Sequence, residues 1–378
     1  MSPMKLKTPW TAHDIRSRLP SGGGLGFLFH ATDPETVSFA FEGGPFSDEE
    51  LWAHGPFIGS PIFHENRVVG CHIISPVPAQ LWAGGHTGIR RFRQEGYEPS
   101  LKLAKECGLT HVGLGALIPF ATQFGRYGEC PPDLRLTTGH AATVANLGHM
   151  VSAIADVGGV KPSELRYAIF GAAGSIGSNV SRWFARLGWG DLRLIDVADR
   201  ASQVRTLAAE IRNESSRGSV SIHSAEELSA LEPFDIAIIA TNKAAPWIDA
   251  ELLRKAPLWI DDSHPRAVTP EAETELRGEV LYLECFARGP QGLSQTFPFR
   301  LPTGRDCYSC FAEVFVCWRE GMRSDFVVGE PSLAQIEQMH LLLPKYGFQP
   351  GPLTSKGGCK VGQQLAESII RRRTRRCT

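Results

Sequence analysis

The amino-acid sequence predicts an α/β fold: a doubly wound parallel sheet in the middle of the chain, flanked by an N-terminal α/β domain and a C-terminal helical segment. Three observations predict it. A short apolar run from Arg166 ends in glycines at 171, 174 and 177, and a helical pattern follows at once. Short apolar runs then alternate with helical patterns as far as 283, the order that builds a parallel sheet covered by helices. Before residue 136, apolar runs alternate with Gly and Pro, whereas the part after 300 reads as helical.

The first central strand is expected at 166–170 and its helix at 175–187. Further strands are expected at 192–197, 219–222, 235–240, 257–261 and 279–283, with a helix at 200–213. Gly171 allows a tight turn out of the strand, and Gly174 lets backbone approach a pyrophosphate. Gly177 lets the new helix pack close to its strand, so that its N-terminal amides and dipole face the phosphates. This is the plan of a Rossmann-type dinucleotide site, written here as G-x-x-G-x-x-G rather than the commoner G-x-G-x-x-G. A glycine-rich turn without a ligand is the competing reading. The cofactor-binding candidates are Gly171, Ala173, Gly174, Ser175, Ile176 and Gly177, with Thr241 beyond a later strand. Asp196 ends the second strand, where a carboxylate accepts hydrogen bonds from ribose hydroxyls and repels a 2′-phosphate. It favours NADH over NADPH, although Arg200 nearby offers a phosphate partner. Ligands of such sheets lie beyond the carboxyl ends of the strands, here near Thr241-Asn242 and Asp261-Asp262.

Composition bounds the rest. At 378 residues the chain is long enough for two or three domains, and 42% apolar with 21% charged residues is ordinary for a globular protein. The net charge of −1 supplies no field to draw nucleic acid or membrane. Residues 1–20 mix charges without an apolar core, so no signal peptide is expected, and no run reaches membrane-spanning length. Nine scattered cysteines read as reduced thiols, and the protein is expected to be cytoplasmic.

Residues 1 to about 25 read as a weakly ordered lead-in ending in Gly22-Gly23-Gly24. Strand-like runs follow at Gly26–Phe29, Val68–Ile74 and His111–Leu114, with a helix near Ser100–Cys107. Pro131-Pro132 punctuates the chain before Thr137-Thr138-Gly139. A helix at 140–157 carries Ala141, Val144, Leu147, Val151 and Ile154 on one stripe and stops at Gly158-Gly159. The expected domains are therefore 1–137, 138–300 and 301–378. In the last, Asp306 is expected to cap a helix from Cys307 to Glu320 closed by Gly321, and Ser332 a second helix. Arg371–Arg376 is a basic run.

Cys310 is the leading catalytic candidate. Behind an Asp306 cap it lies in the first helical turn, where dipole and amides stabilise a thiolate, the form a cysteine nucleophile needs. It also shares an apolar stripe with Val314 and Trp318, the pattern of a plain core residue. Cys307-Tyr-Ser-Cys310 is a C-x-x-C without a second pair, so no metal site is expected; the neighbouring thiol could trap Cys310 as a disulfide. His140 and His264 are placed to face a nicotinamide or simply to cap and cover. No Ser-x-x-x-Tyr-x-x-x-Lys pattern follows the nucleotide fold. The Arg90-Arg91/Arg93 cluster and the terminal arginines stand in a chain that is neutral as a whole, which argues against nucleic acid and leaves an acidic protein partner.

Taken together, several segments resemble the long-chain acyl-carrier-protein reductases that release fatty aldehydes. They are Leu136–His140 leading into a helix, Ile169–Ser178 with Arg182-Trp183, and Leu258–Asp262 with Pro265. Ser309–Glu313 and Tyr346–Pro350 complete the set. The order and spacing agree from about residue 60 to 350. The resemblance implies that Cys310 attacks an acyl thioester of a carrier protein or coenzyme A, and that NADH or NADPH then delivers hydride to give an aldehyde. It implies an acyl-binding N-terminal domain, drawn along Gly113–Pro119, and allows a downstream aldehyde-using enzyme as partner. The family's NADPH preference and the acid at Asp196 point in opposite directions; Cys307 and residues 351–378 have no family counterpart. The alternatives are a direct NAD(P)-dependent dehydrogenase of a small hydroxy, amino or imino substrate, with Cys310 structural, and a non-catalytic dinucleotide sensor.

Overall fold

A computed structural model of the chain describes residues 4–352 except 8, 33, 215–217 and 244. The arginine run at 371–376 lies outside the described residues. The chain forms two compact units. The first comprises residues 1–142, 289–331 and 341–348; the second comprises 143–288, 332–340 and the described residues from 349 onward. The division expected from sequence differs from this one, since 289–331 groups with the N-terminal residues.

The second unit contains the expected parallel sheet. Its strands are Arg166–Phe170, Asp191–Asp196, Val220–Ser224, Ile236–Ile239, Leu258–Asp261 and Leu281–Glu284. They run in the spatial order third, second, first, fourth, fifth, sixth, and every pairing is parallel. This is the Rossmann order, and it reverses direction between the first and fourth strands. The fourth, fifth and sixth strands are buried throughout, as parallel strands covered on both faces must be. Trp259, Phe170 and Phe234 anchor an apolar cluster with Leu253, Val268 and Tyr282. Helices Ser175–Arg186 and Ala201–Glu214 fall where expected. Ser332 caps the helix Leu333–Lys345 reciprocally with Gln335.

The first unit is a mixed six-stranded sheet. Parallel strands Gly24–His30, Arg67–Ser75, Leu109–Leu114 and Arg135–Thr137 are extended by two antiparallel strands, Phe57–His64 beside Arg67–Ser75 and Leu293–Gln295 at the edge. The lead-in is more ordered than expected. Thr11 and Asp14 form a capping box for the helix Ala12–Arg16, and Lys5–Leu6 pairs with Phe41–Glu42. The helix Ser309–Arg319 packs on this sheet, against the strands Leu109–Leu114 and Gly24–His30. It begins two residues later than expected. Asp306 lies in a short strand, and its carboxylate accepts hydrogen bonds from the amide and hydroxyl of Thr303, both at 2.9 Å. Tyr308 takes the N-cap instead.

Asp235, buried at the entry to the fourth strand, receives the backbone amide of Arg166 at 2.8 Å and the Arg166 guanidinium at 3.0 Å. It therefore fixes the register of the two strands on either side of the reversal. Asp235→Ala is expected to lower the unfolding free energy by about 2–4 kcal/mol, read by urea denaturation, because it strands a partly buried cation and an amide.

Candidate active site

In the second unit the glycine turn takes the shape its chemistry requires. Gly171 adopts φ +82°, and a Cβ there would lie 2.3 Å from the carbonyl oxygen of Ala240. A Cβ on Gly177 would lie 2.2 Å from the Gly171 carbonyl oxygen, so the helix starts in backbone contact with the turn. Gly174 is the N-cap of this helix, with Ser175, Ile176 and Gly177 as its first turn. The amides of Gly171 and Ala172 donate to the Ile195 carbonyl at 2.9 and 3.1 Å, which ties the turn to the second strand. Asp196 closes it: one carboxylate oxygen accepts the Ala173 amide at 2.7 Å and the other the Val197 amide at 2.8 Å.

Thr241 follows the fourth strand across the reversal. Its amide donates to Ser263 Oγ at 3.0 Å, and Ser263 is held in turn through its own amide, 2.7 Å from Asp261. Asp261 is fully buried and also receives the Ala267 amide and the Tyr282 hydroxyl. Its carboxylate shapes the loop carrying Ser263, which sequence reasoning did not single out. His264 is half-buried in that loop.

In the first unit Cys310 is the second residue of the helix Ser309–Arg319 and is partly exposed. The first turn, where amides and dipole favour an anion, is its place even without the expected Asp306 cap. Its neighbours hold fast. Phe311 meets Phe27 edge-on at 5.6 Å, and Tyr308 meets Phe299 at 5.7 Å, within an aromatic group that includes Phe29, His72 and Phe297. Cys307 is buried, which pushes its thiol well above the ordinary cysteine range. Part of the segment expected to hold the acyl group packs here: a Cβ on Gly113 would strike Val314 at 2.8 Å, and one on Gly115 would strike Phe27 at 2.5 Å.

The turn Thr137-Thr138-Gly139 rests directly on the cysteine. Gly139 has φ +80°, and a Cβ there would lie 2.1 Å from Cys310 Cβ and 2.3 Å from its Cα. Glu313, completely buried, gathers this turn: it accepts the Thr137 hydroxyl in a short bond, the Gly139 amide at 3.0 Å and the Ala142 amide at 2.7 Å. On its other side the turn pairs with residues 325–327, through Leu136 N to Asp325 at 2.7 Å and Thr138 N to the Val327 carbonyl at 3.0 Å. His140 is buried beside Phe124, and burial lowers its imidazole to about 4, so the ring is neutral near pH 7. Among the described residues no cluster of His, Cys, Asp and Glu is built to hold a metal, and no helix is long and apolar enough to cross a membrane.

No protein-family model matches the chain. A curated relative, the long-chain acyl-[acyl-carrier-protein] reductase of Synechococcus elongatus, is 30% identical over 225 residues, which are 57% of this chain and 62% of the relative. The match thus spans less than two thirds of that relative's length. Among solved structures, quinate dehydrogenase from Corynebacterium glutamicum in complex with NAD is 14% identical, with 85% of this chain and 98% of that chain covered and a TM-score of 0.36. L-Tryptophan dehydrogenase from Nostoc punctiforme is 11% identical over 93% of this chain and 90% of its own, at a TM-score of 0.40. The fold assignment rests on the strand order itself.

Burial pushes the Glu313 carboxyl up from 4.5 to about 7, against the pull of its hydrogen bonds. The folded chain thus keeps a proton that the unfolded chain releases. The resulting stabilisation is full below pH 4.5 and is lost as pH rises through about 7. Relative to Glu313→Gln, the wild-type chain is expected to lose roughly 3 kcal/mol across that window, measured by urea denaturation at a series of pH values.

Proposed function

We propose that this chain is a nicotinamide-dependent oxidoreductase that reduces an acyl thioester, borne by a carrier protein or coenzyme A, to an aldehyde by way of an acyl group on Cys310. The observation that carries the reading is a partly exposed cysteine in the first turn of a helix, held by a backbone contact with Gly139, in a chain that also contains a Rossmann-order sheet. The relative from Synechococcus elongatus supports it, because it bears the name of such a reductase.

The residues at the reversal of the sheet fit a dinucleotide. Gly171 and Gly177 leave the turn no room for side chains, and Gly174 brings none to the helix N-terminus, where a pyrophosphate finds amides and a favourable dipole. Ala173, Ser175 and Ile176 complete the cradle, Asp196 stands at the ribose position, and Thr241 lies across the switch point. Asp196 favours NADH over NADPH. A dinucleotide bound there supplies the hydride that turns the acyl-cysteine into aldehyde.

The remaining chemistry belongs to the chain. The Cys310 thiolate attacks the thioester carbonyl carbon, the bond to the carrier sulfur breaks, and the carrier leaves as a thiol with the proton that the cysteine gave up. The acyl group is then joined to Sγ, and loss of the aldehyde returns the thiolate. Gly139 and the first helical turn keep Sγ where it started, and the apolar surroundings of Phe311 and Val314 limit water at the acyl bond.

Mixing the protein with acyl thioesters, without cofactor, should give a mass increase equal to the acyl group by intact-protein mass spectrometry. The adduct should be lost in Cys310→Ala and discharged as aldehyde on adding NADH or NADPH. Turnover that survives Cys310→Ala would instead establish the direct dehydrogenase. Asp196→Ala combined with Val197→Arg should shift the preference towards NADPH by an order of magnitude or more in kcat/KM, about 1.4 kcal/mol. A wild-type chain that already prefers NADPH strongly would remove the role given to Asp196.

A further inference from the structure

Glu313 is a fully buried carboxylate to which the thioester reading gives no part. Burying a charge is costly unless its surroundings compensate, and an apolar residue would fill the same space more cheaply. Its partners show what it does. The Thr137 hydroxyl and the amides of Gly139 and Ala142 all donate to it, and Ala141 adds a further backbone bond. Every one of these donors lies within a single stretch, 137–142. Capping the helix that starts at His140 would need only a local Ser, Thr or Asp. A carboxylate reaching from another helix does more, because it ties two elements together.

The element it ties down is the one that touches the cysteine. Glu313 lies three residues after Cys310, on the same side of the helix. The Gly139 backbone that it holds approaches Cys310 so closely that a Cβ would come within 2.1 Å of Cys310 Cβ. We infer that Glu313 is a positioning residue for Cys310, acting through Gly139: the carboxylate clamps the turn onto the first turn of the cysteine helix and so fixes the thiol for attack. The inference rests on the thioester reading above. Glu313 itself is completely buried, and the role given to it runs through the turn rather than through contact with substrate.

The sign of the effect separates positioning from electrostatics. Above pH 7, where the Glu313 carboxyl is ionised, removing its negative charge from beside a thiol favours the thiolate, so a carboxylate acting only by its charge would slow the cysteine, and Glu313→Gln would speed it. Loss of a clamp slows thioester attack, which depends on orientation, while leaving alkylation by a small reagent largely unchanged. The test measures the single-turnover acylation of Cys310 by butanoyl-, decanoyl- and hexadecanoyl-coenzyme A and, in parallel, its alkylation by iodoacetamide. The variants are Glu313→Gln, Gly139→Ala and the double variant, each checked for folding by near-ultraviolet circular dichroism. Thr137→Val, which removes one donor and keeps the carboxyl group, carries the test should Glu313→Gln not fold.

Acylation is expected to fall about 100-fold in Glu313→Gln and measurably in Thr137→Val, with alkylation little changed. The double variant is expected to be no slower than the slower single one, because both act on one turn. Folded variants that acylate at or above the wild-type rate would overturn the role of Glu313 and leave the thioester reading standing. Fully additive losses would overturn the route through Gly139. A wild-type chain that takes no acyl group from any of the three thioesters would overturn the reading and the inference together.

Discussion

The contact on which the first unit depends is one between backbones. Gly139 and Cys310 meet where no Cβ fits, and Gly139 must also adopt a left-handed conformation to turn the chain into the helix that follows. Both demands exclude any other residue at that position. So close an approach persists only if polar groups on both sides are satisfied. Here one carboxylate does most of that, at the N-terminal end of the helix His140–Gly158, where the dipole favours its charge. The aromatic residues either side of Cys310 seat the other end of the arrangement in the sheet.

The second unit solves a different problem with the same materials. At the carboxyl ends of its strands, backbone amides must be satisfied without filling the space above the sheet. Asp196 takes the Ala173 amide of the glycine turn, Asp261 two amides of the loop after the fifth strand, and Ser263 the amide of Thr241. The carboxylates brace the loops from behind, and small residues remain where a ligand would approach. Polar side chains here are the frame of the site as much as its contacts.

What was legible in the sequence was local. The parallel strands were readable because strands covered on both faces are continuous apolar runs, and the glycine turn because three glycines serve one bend. The antiparallel strand Phe57–His64 was not, since Gly59 and Pro61 interrupt it, and its pairing with Arg67–Ser75 shifts register on either side of Pro61, the kind of irregularity at which Pro is tolerated. Asp306 looked like a cap on spacing alone, yet its carboxylate is used by Thr303, three residues earlier. Glu313 stood in a recognised segment without a role, because its hydroxyl partner Thr137 lies 176 positions away. No periodicity carries information over that distance.

The first unit is assembled from three stretches of chain, whereas all six strands of the Rossmann sheet lie within 166–284. During synthesis the sheet of the second unit is therefore complete before the helix bearing Cys310 has left the ribosome. Four parallel strands of the first unit emerge early and must wait for that helix, and for the edge strand Leu293–Gln295, before their apolar surface is covered. Cys310 is consequently among the last parts of its own core to be put in place. A chain that ends between residues 285 and 308 contains all six strands of that sheet and lacks Cys310 altogether.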